Sequence, residues 1–237
     1  MLKFIGIGSA FNTAEGNTSA YIRKNEKLFL IDCGSANFHF MKESGFLDGI
    51  EEIHVYITHT HSDHIGSLSD LILYFYYAKG EVKNRVTVYA VRDLGVDKYL
   101  LMNGVAKPCY NFKSLDKYDS FSVLGYTMIP METCHVPELS SYGLLIENNN
   151  GDLSMYTGDT NELNESVNQW FEDDVLDYLY VDTCSQDYDG NVHLSLLKLH
   201  NSIKKEHRDR VWCMHIDEKF DKELARSLGF NIAEVEI

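Results

Sequence analysis

The sequence predicts an α/β protein in which β-sheets are covered by helices. Three observations carry this. Short apolar, strand-like runs occur in both halves of the chain, helical periodicity appears between them, and no Pro-, Gly- or Ser-rich linker divides the halves. The 237 residues fit a single domain, 1–237, long enough to bury a core without disulfides or a structural metal. No internal repeat is visible.

The elements follow in order. Residues 2–7, 19–23 and 28–31 read as strands, with Asn25-Glu26 as a hairpin turn between the last two. Residues 53–58 form a further strand of alternating apolar and polar residues. In 67–78 the apolar positions 68, 71, 72 and 75 follow the i, i+3, i+4, i+7 spacing of a helix. Residues 85–91 and 121–130 are each read as one strand. Residues 142–147 and 153–157 flank Asn148-Asn149-Asn150-Gly151-Asp152, a hairpin signal. Helices are expected over 164–171, 195–205 and 219–228, the last stopped by Gly229. Strands are expected at 178–181, 211–215 and 231–237.

Composition narrows the function. Hydrophobic residues make up 44% and charged residues 24%, ordinary globular usage that excludes disordered, collagen-like and coiled-coil chains. Acidic residues outnumber basic ones 36 to 21, a net charge of −15. A long nucleic acid would be repelled by most of such a surface, and no dense Lys/Arg run offsets it. No stretch of 18 apolar residues suits a membrane span, and the first residues lack the apolar core of a signal peptide. Cysteines at 33, 109, 134, 184 and 213 form no Cys-x-x-Cys, so a zinc ribbon or thioredoxin-type site is excluded and a reducing cytoplasm is the expected location.

The chemistry lies in Thr58-His59-Thr60-His61-Ser62-Asp63-His64. Three imidazoles and a carboxylate fall just past a strand, the ligand types that suit zinc and similar divalent ions. The spacing lets His59 and His61 approach one ion while Asp63 and His64 turn toward a second, as in two-metal sites. A solvated polar loop is the bland alternative, disfavoured by the density of ligands. His135, Asp159 in Thr157-Gly158-Asp159, and His215 each stand at a strand end. Alone, each would be a hydrogen-bonded or turn residue. Together, in this order, they complete a pattern.

The chain resembles the metallo-β-lactamase superfamily, whose pattern is His-x-His-x-Asp-His followed by a His, an Asp and a His. Phe4-Ile5-Gly6-Ile7-Gly8-Ser9-Ala10 with Gly16-Asn17-Thr18-Ser19, and Leu30-Ile31-Asp32-Cys33-Gly34, are similar to the family's opening strand and its Ile-Asp-x-Gly motif, so the likeness spans nearly the whole chain. It implies an αββα sandwich, two mixed sheets flanked by helices, with metals at one edge. It assigns His59, His61 and His135 to a first metal, Asp63, His64 and His215 to a second, and Asp159 as bridge. The zinc β-lactamases carry Cys where Asp159 stands and flavodiiron proteins carry Glu where His61 stands. The set present here instead resembles the hydrolase branches, above all the Z-type ribonucleases and cyclic phosphodiesterases.

A further pair sharpens this. Asp182 follows an apolar strand, and His193 precedes a helix, a pairing similar to the proton-donating pair of that branch, in which His193 is the general acid and Asp182 its orienter. The alternative is a helix-capping His and a turn Asp. His193, Asp182 and Asp63 are thus the candidate catalytic residues, Asp63 doubling as a ligand. His39, His54, His200 and His207 match no position and are expected to be packing or surface residues. The segment between His64 and His135 lacks the basic arm of transfer-RNA processing enzymes, and the Cys-rich zinc loops of phosphonate-breakdown phosphodiesterases are missing.

The expected function is a dinuclear metal hydrolase, with zinc the favoured ion and manganese or iron also suited. The favoured reaction is phosphodiester hydrolysis of a small or short nucleotide-like substrate, a metal-bridging hydroxide attacking phosphorus. Carboxyl ester, thioester or lactone hydrolysis at the same metals is one alternative, and a non-catalytic ligand-binding module is another. In the aromatic run 71–77 a helix puts Leu71, Ile72 and Phe75 in the core, and the surplus Tyr74, Tyr76 and Tyr77 offer a homodimer contact or a base-stacking surface, with plain packing the favoured reading.

Overall fold

The computed structural model describes residues 2–80 and 85–237. A first sheet of six strands runs in the order β1 (Lys3–Gly6), β2 (Ser19–Lys24), β3 (Lys27–Ile31), β4 (Glu52–Ile57), β5 (Val86–Val91), β6 (Asn111–Leu115). A second, of seven, runs β13 (Asn231–Ile232), β12 (Val211–Met214), β11 (Tyr178–Asp182), β10 (Leu153–Tyr156), β9 (Ser141–Glu147), β8 (Tyr126–Thr133), β7 (Phe121–Val123). Each sheet is mixed. β1 to β3 pair antiparallel and β3 to β6 parallel. β7 to β10 pair antiparallel and β10 to β13 parallel.

Period-two alternation sends residues to opposite faces. In β3, Phe29 and Ile31 join the core shared with the second sheet, where Tyr142, Leu144 and Tyr156 meet them. Leu28 and Leu30 face the outer layer, with Ile53, Val55 and Ile57 of β4. That outer layer is closed by α1 (Asn37–Glu43), α2 (Ser62–Ile65), α3 (Leu68–Leu73) and α4 (Val96–Met102), through Met41, Ile65, Leu68, Leu71 and Leu100. On the second sheet, α5 (Glu165–Glu172), α6 (Leu196–Ser202) and α7 (Lys222–Ser227) contribute Val167, Phe171, Leu199 and Ala225 to the inter-sheet core cluster. The arrangement is the expected sandwich of two sheets between helical layers.

Several expectations shift in detail. Residues 121–130 form a hairpin, because Leu124 and Gly125 both take positive φ (52° and 89°) and join Val123 to Tyr126 by a two-residue turn. β4 is buried on both faces, as a central strand with parallel neighbours must be, despite its polar His54. The 67–78 helix is α-helical to Leu73 and then widens into a π-helical turn, Tyr74–Ala78, with Phe75 buried, Tyr74 packed on Phe38 and Tyr77 exposed. α6 ends at Ser202 and a 3₁₀ segment, Lys205–Arg210, follows; α7 begins only at Lys222, and the terminal strand is only Asn231–Ile232. Among the described residues no helix is long and apolar enough to cross a membrane.

β3 and β4 in one sheet, and β8, β10, β11 and β12 in the other, end at one edge of the sandwich. The seven expected ligands and the Asp182–His193 pair lie just beyond these carboxyl ends, where open α/β sheets place their sites.

Candidate metal and catalytic site

Three overlapping groups of side chains with metal-binding spacing converge at that edge, and all share Asp159. His59, His61 and His135 with Asp159 form the first; Asp63, His64 and His215 with Asp159 form the second; Asp182, His193 and His215 with Asp159 form the third, which overlaps the second. In the first, His61 Nδ1 lies 3.2 Å from both His59 Nε2 and His135 Nε2. Asp159 Oδ2 lies 3.7 Å from His59 Nε2 and 3.6 Å from His135 Nε2. In the second, Asp159 Oδ1 lies 3.2 Å from His64 Nε2 and 3.4 Å from His215 Nε2, and Asp63 Oδ2 lies 3.4 Å and 3.2 Å from the same two nitrogens. The two oxygens of Asp159 thus serve one of these first two groups each.

These separations test whether the residues fit a metal. A tetrahedral ion with ligands at about 2.0–2.1 Å requires donor–donor edges of about 3.3–3.4 Å. The first two groups meet that spacing to within a few tenths of an ångström. Asp159 Oδ1 is buried and receives no hydrogen bond, an orphan that a cation would satisfy. The donor set, imidazole with carboxylate, suits zinc, manganese or iron.

The tautomers are set from outside the cluster. His64 Nδ1 donates to Asp32 Oδ2 at 2.8 Å, and His135 Nδ1 donates to the Val192 carbonyl at 2.9 Å. Thr58 Oγ1 donates to Asp32 Oδ2 at 2.8 Å and so is free to accept from His59 Nδ1 at 3.0 Å. His215 Nδ1 faces Asp182 Oδ1 at 3.3 Å. Four rings are therefore committed through Nδ1 and present Nε2 to the centre, the arrangement that fixes a ligating His. His61 is turned the other way and presents Nδ1.

Electrostatics agree. Burial alone would drive His64 and His215 neutral, yet Asp159 and Asp32 hold the first well above its ordinary range, and Asp159 and Asp182 lift the second to about 10. Burial also works against the charge of Asp63 and Asp159, but the surrounding histidines hold both carboxyls below their ordinary range. The buried carboxylates call for positive charge at this spot. His59 and His135 move the other way: burial, with neighbouring histidines, lowers both, leaving their nitrogens free to coordinate.

Local folding explains these positions. Asp32 (φ 67°) and His215 (φ 55°) both hold the left-handed backbone region that non-glycine residues seldom occupy, a strain tolerated where a side chain must be aimed. Asp32 also accepts the Thr58 backbone amide at 2.8 Å, locking the start of the ligand loop to the end of β3. Gly34 lies so close to the Asp63 carbonyl that a Cβ there would overlap it.

His193 sits beside the centre. Its Nδ1 donates to Asp182 Oδ2 at 2.7 Å and lies 3.9 Å from Asp159 Oδ2. Burial would lower His193, but the charge and hydrogen bond of Asp182 raise it above its ordinary value. Asp182 Oδ2 also accepts the Thr160 amide at 3.0 Å. The cleft over this ensemble, about 570 Å³, is within the range of small-ligand sites and is lined by His61, Asp63, Asp159, His193 and His215. Every sequence-predicted site residue is brought to this one place. The sequence reading missed the hold of Asp32 on His64, the support of His59 by Thr58 and the Val192 carbonyl. A carboxylate directly after the apolar run 28–31 was the available signal for the first. His54 bonds Tyr89 and His207 stacks on Phe171, packing roles as expected.

The fold is that of solved metallo-β-lactamase fold proteins. The YhfI protein from Bacillus subtilis superposes with a TM-score of 0.75 at 17% identity, covering 100% of this chain and 97% of that one. The short form of human tRNase Z gives 0.73 at 16% identity, covering 100% and 97%. Within that fold the relationship is more specific. The chain belongs to the Anti-Pycsar protein Apyc1 family, whose model matches residues 1–234. The Anti-Pycsar protein Apyc1 of Bacillus phage BSP38 is 30% identical over 237 residues, spanning 93% of this chain and 90% of that protein.

Proposed function

We propose that this protein is a metal-dependent phosphodiesterase acting on a small, nucleotide-like substrate. The observation that carries the reading is the Asp182–His193 pair beside the two ligand groups, 2.7 Å apart at Nδ1. A poor alkoxide leaving a phosphodiester needs a proton, as one leaving an alkyl ester does, and His193, raised above its ordinary value by Asp182, is placed to supply it. The phosphodiester is favoured over the ester because the pair is similar to the proton-donating pair of the Z-type ribonuclease and phosphodiesterase branch.

His59, His61 and His135 would hold one divalent ion, Asp63, His64 and His215 a second, with Asp159 shared. Bound there, such ions supply an activated water nucleophile and neutralise phosphoryl charge. The remaining work belongs to the chain. Asp182 keeps the His193 tautomer with its Nδ1 hydrogen inward, so that Nε2 presents the transferable proton. Asp32 and Thr58 hold His64 and His59 in register. Asp63 Oδ2, 3.2 Å from His215 Nε2, shares with Asp159 the placing of that ring. The net charge of −15 favours small substrates over long nucleic acid.

The test is a panel on zinc- and manganese-loaded protein, with bis(p-nitrophenyl) phosphate beside p-nitrophenyl acetate, then cyclic mononucleotides, cyclic dinucleotides and short RNAs. Turnover of diesters with little of the acetate supports the reading. Turnover of the acetate alone transfers the site to ester chemistry.

A further inference from the structure

We propose that Phe11 and Tyr188 are the specificity-determining residues of the cleft, gripping a flat aromatic group of the substrate while its phosphodiester lies over the two ligand groups. The inference rests on the phosphodiesterase reading above.

Both side chains line the same cleft as His61, Asp63, His193 and His215. Both are large and apolar, yet Phe11 is 86% exposed and Tyr188 57% exposed. Among the described residues neither is paired with another aromatic ring. Single exposed apolar residues are ordinary on a surface, but these two line the cleft that holds the expected ligands, where an entering group can cover them. Base–aromatic stacking is the interaction such rings supply, and it tolerates differences among bases because every base has a π-face.

The backbone ties each ring to the chemistry. Ser9 donates its amide to the Ile216 carbonyl at 3.0 Å, and the Asn12 side chain donates to the same carbonyl at 2.9 Å. The Phe11 turn is thereby pinned to the residue after His215. The Tyr188 carbonyl accepts the Asn191 amide at 3.1 Å, and Asn191 Oδ1 accepts the His193 amide at 3.1 Å. The Tyr188 turn is thereby pinned to the general acid. A substrate whose aromatic group touches both rings is registered against His215 on one side and His193 on the other. On the Tyr188 loop, exposed Gln186 adds an amide that can both donate to and accept from a base edge.

The experiment uses metal-loaded protein and two diesters that differ only in the base, adenosine 3′,5′-cyclic phosphate and methyl riboside 3′,5′-cyclic phosphate. Phe11→Ala and Tyr188→Ala should each raise KM for the adenosine diester about tenfold with kcat nearly unchanged. KM for the base-free diester should stay at the wild-type value, and Tyr188→Phe, which keeps the ring, should behave as wild type. Metal content and thermal stability verify that the variants fold. Equal effects on both diesters, or none on either, overturn the proposal, as does a loss of oligomeric state on sedimentation with unchanged KM. Calorimetric titration with adenosine 5′-monophosphate separates the two readings. If wild type turns over neither diester, the phosphodiesterase reading falls, while binding weakened about tenfold by Phe11→Ala still upholds the stacking role and unchanged binding removes it.

Discussion

Asp182 serves His193 and His215 at once: Oδ2 lies 2.7 Å from His193 Nδ1, and Oδ1 lies 3.3 Å from His215 Nδ1. One fully buried carboxylate thus couples the proposed proton donor to a proposed metal ligand. The consequences of changing either partner differ, and they can be separated.

His193→Ala should leave metal content intact, because His193 is not one of the seven expected ligands. Turnover of a diester with a poor alkoxide leaving group should fall by about 10²–10⁴, the usual worth of a positioned acid. The loss should shrink for p-nitrophenolate, which departs without a proton. Equal loss for both leaving groups, measured as kcat, would make His193 a binding or structural residue.

Asp182→Asn should do more than its position beside His193 alone suggests. Asp182 raises the His193 pKa, so removing its charge lowers that pKa. A general acid must be protonated, and the limb on which activity falls with rising pH therefore moves to lower pH. Because Oδ1 also faces His215, affinity for the second ion should weaken by about 10–100-fold. A pH–rate profile and a metal titration read the two effects independently.

Asp159→Ala should empty both ion positions, since each of its oxygens faces a separate group. His135→Ala should weaken the first position and largely spare the second. Elemental analysis of gently purified variants measures the difference, against between one and two ions per chain for wild type.

Gly34→Ala introduces a Cβ into the Asp63 carbonyl and crowds Asn17. The ligand loop has to move, so the variant should lose about 1–3 kcal/mol of stability and part of its metal. Thermal denaturation with and without added zinc checks this. A variant as stable and as metal-rich as wild type would show that the loop adapts.

How much of this was legible from sequence follows from physical causes. The seven expected ligands were visible because their side-chain chemistry is dense and each follows a strand. The meeting of Asp182 with His193 was legible from the residue types at the end of one strand and before one helix. The sandwich was legible from strand runs such as 28–31, whose Leu and Phe/Ile alternate between two cores. Asn37–Glu43 and Val96–Met102 escaped because each spans about two turns, too short for a periodic pattern to declare itself. Asn111–Leu115 escaped because it is a largely polar edge strand. The 121–130 hairpin escaped because Leu at the first turn position is not among the residues that favour positive φ. The grip of Asp32 on His64 joins residues that only the pairing of β3 with β4 brings together.

The central claim, that catalysis depends on metal held at these two groups, is tested most directly by turnover before and after chelation. Protein stripped with a chelator and dialysed should lose its hydrolysis of a cyclic mononucleotide or bis(p-nitrophenyl) phosphate. Titration with zinc or manganese should restore it, with the rate rising to a plateau at about two equivalents per chain. Full activity in protein shown by elemental analysis to contain no transition metal would contradict the account.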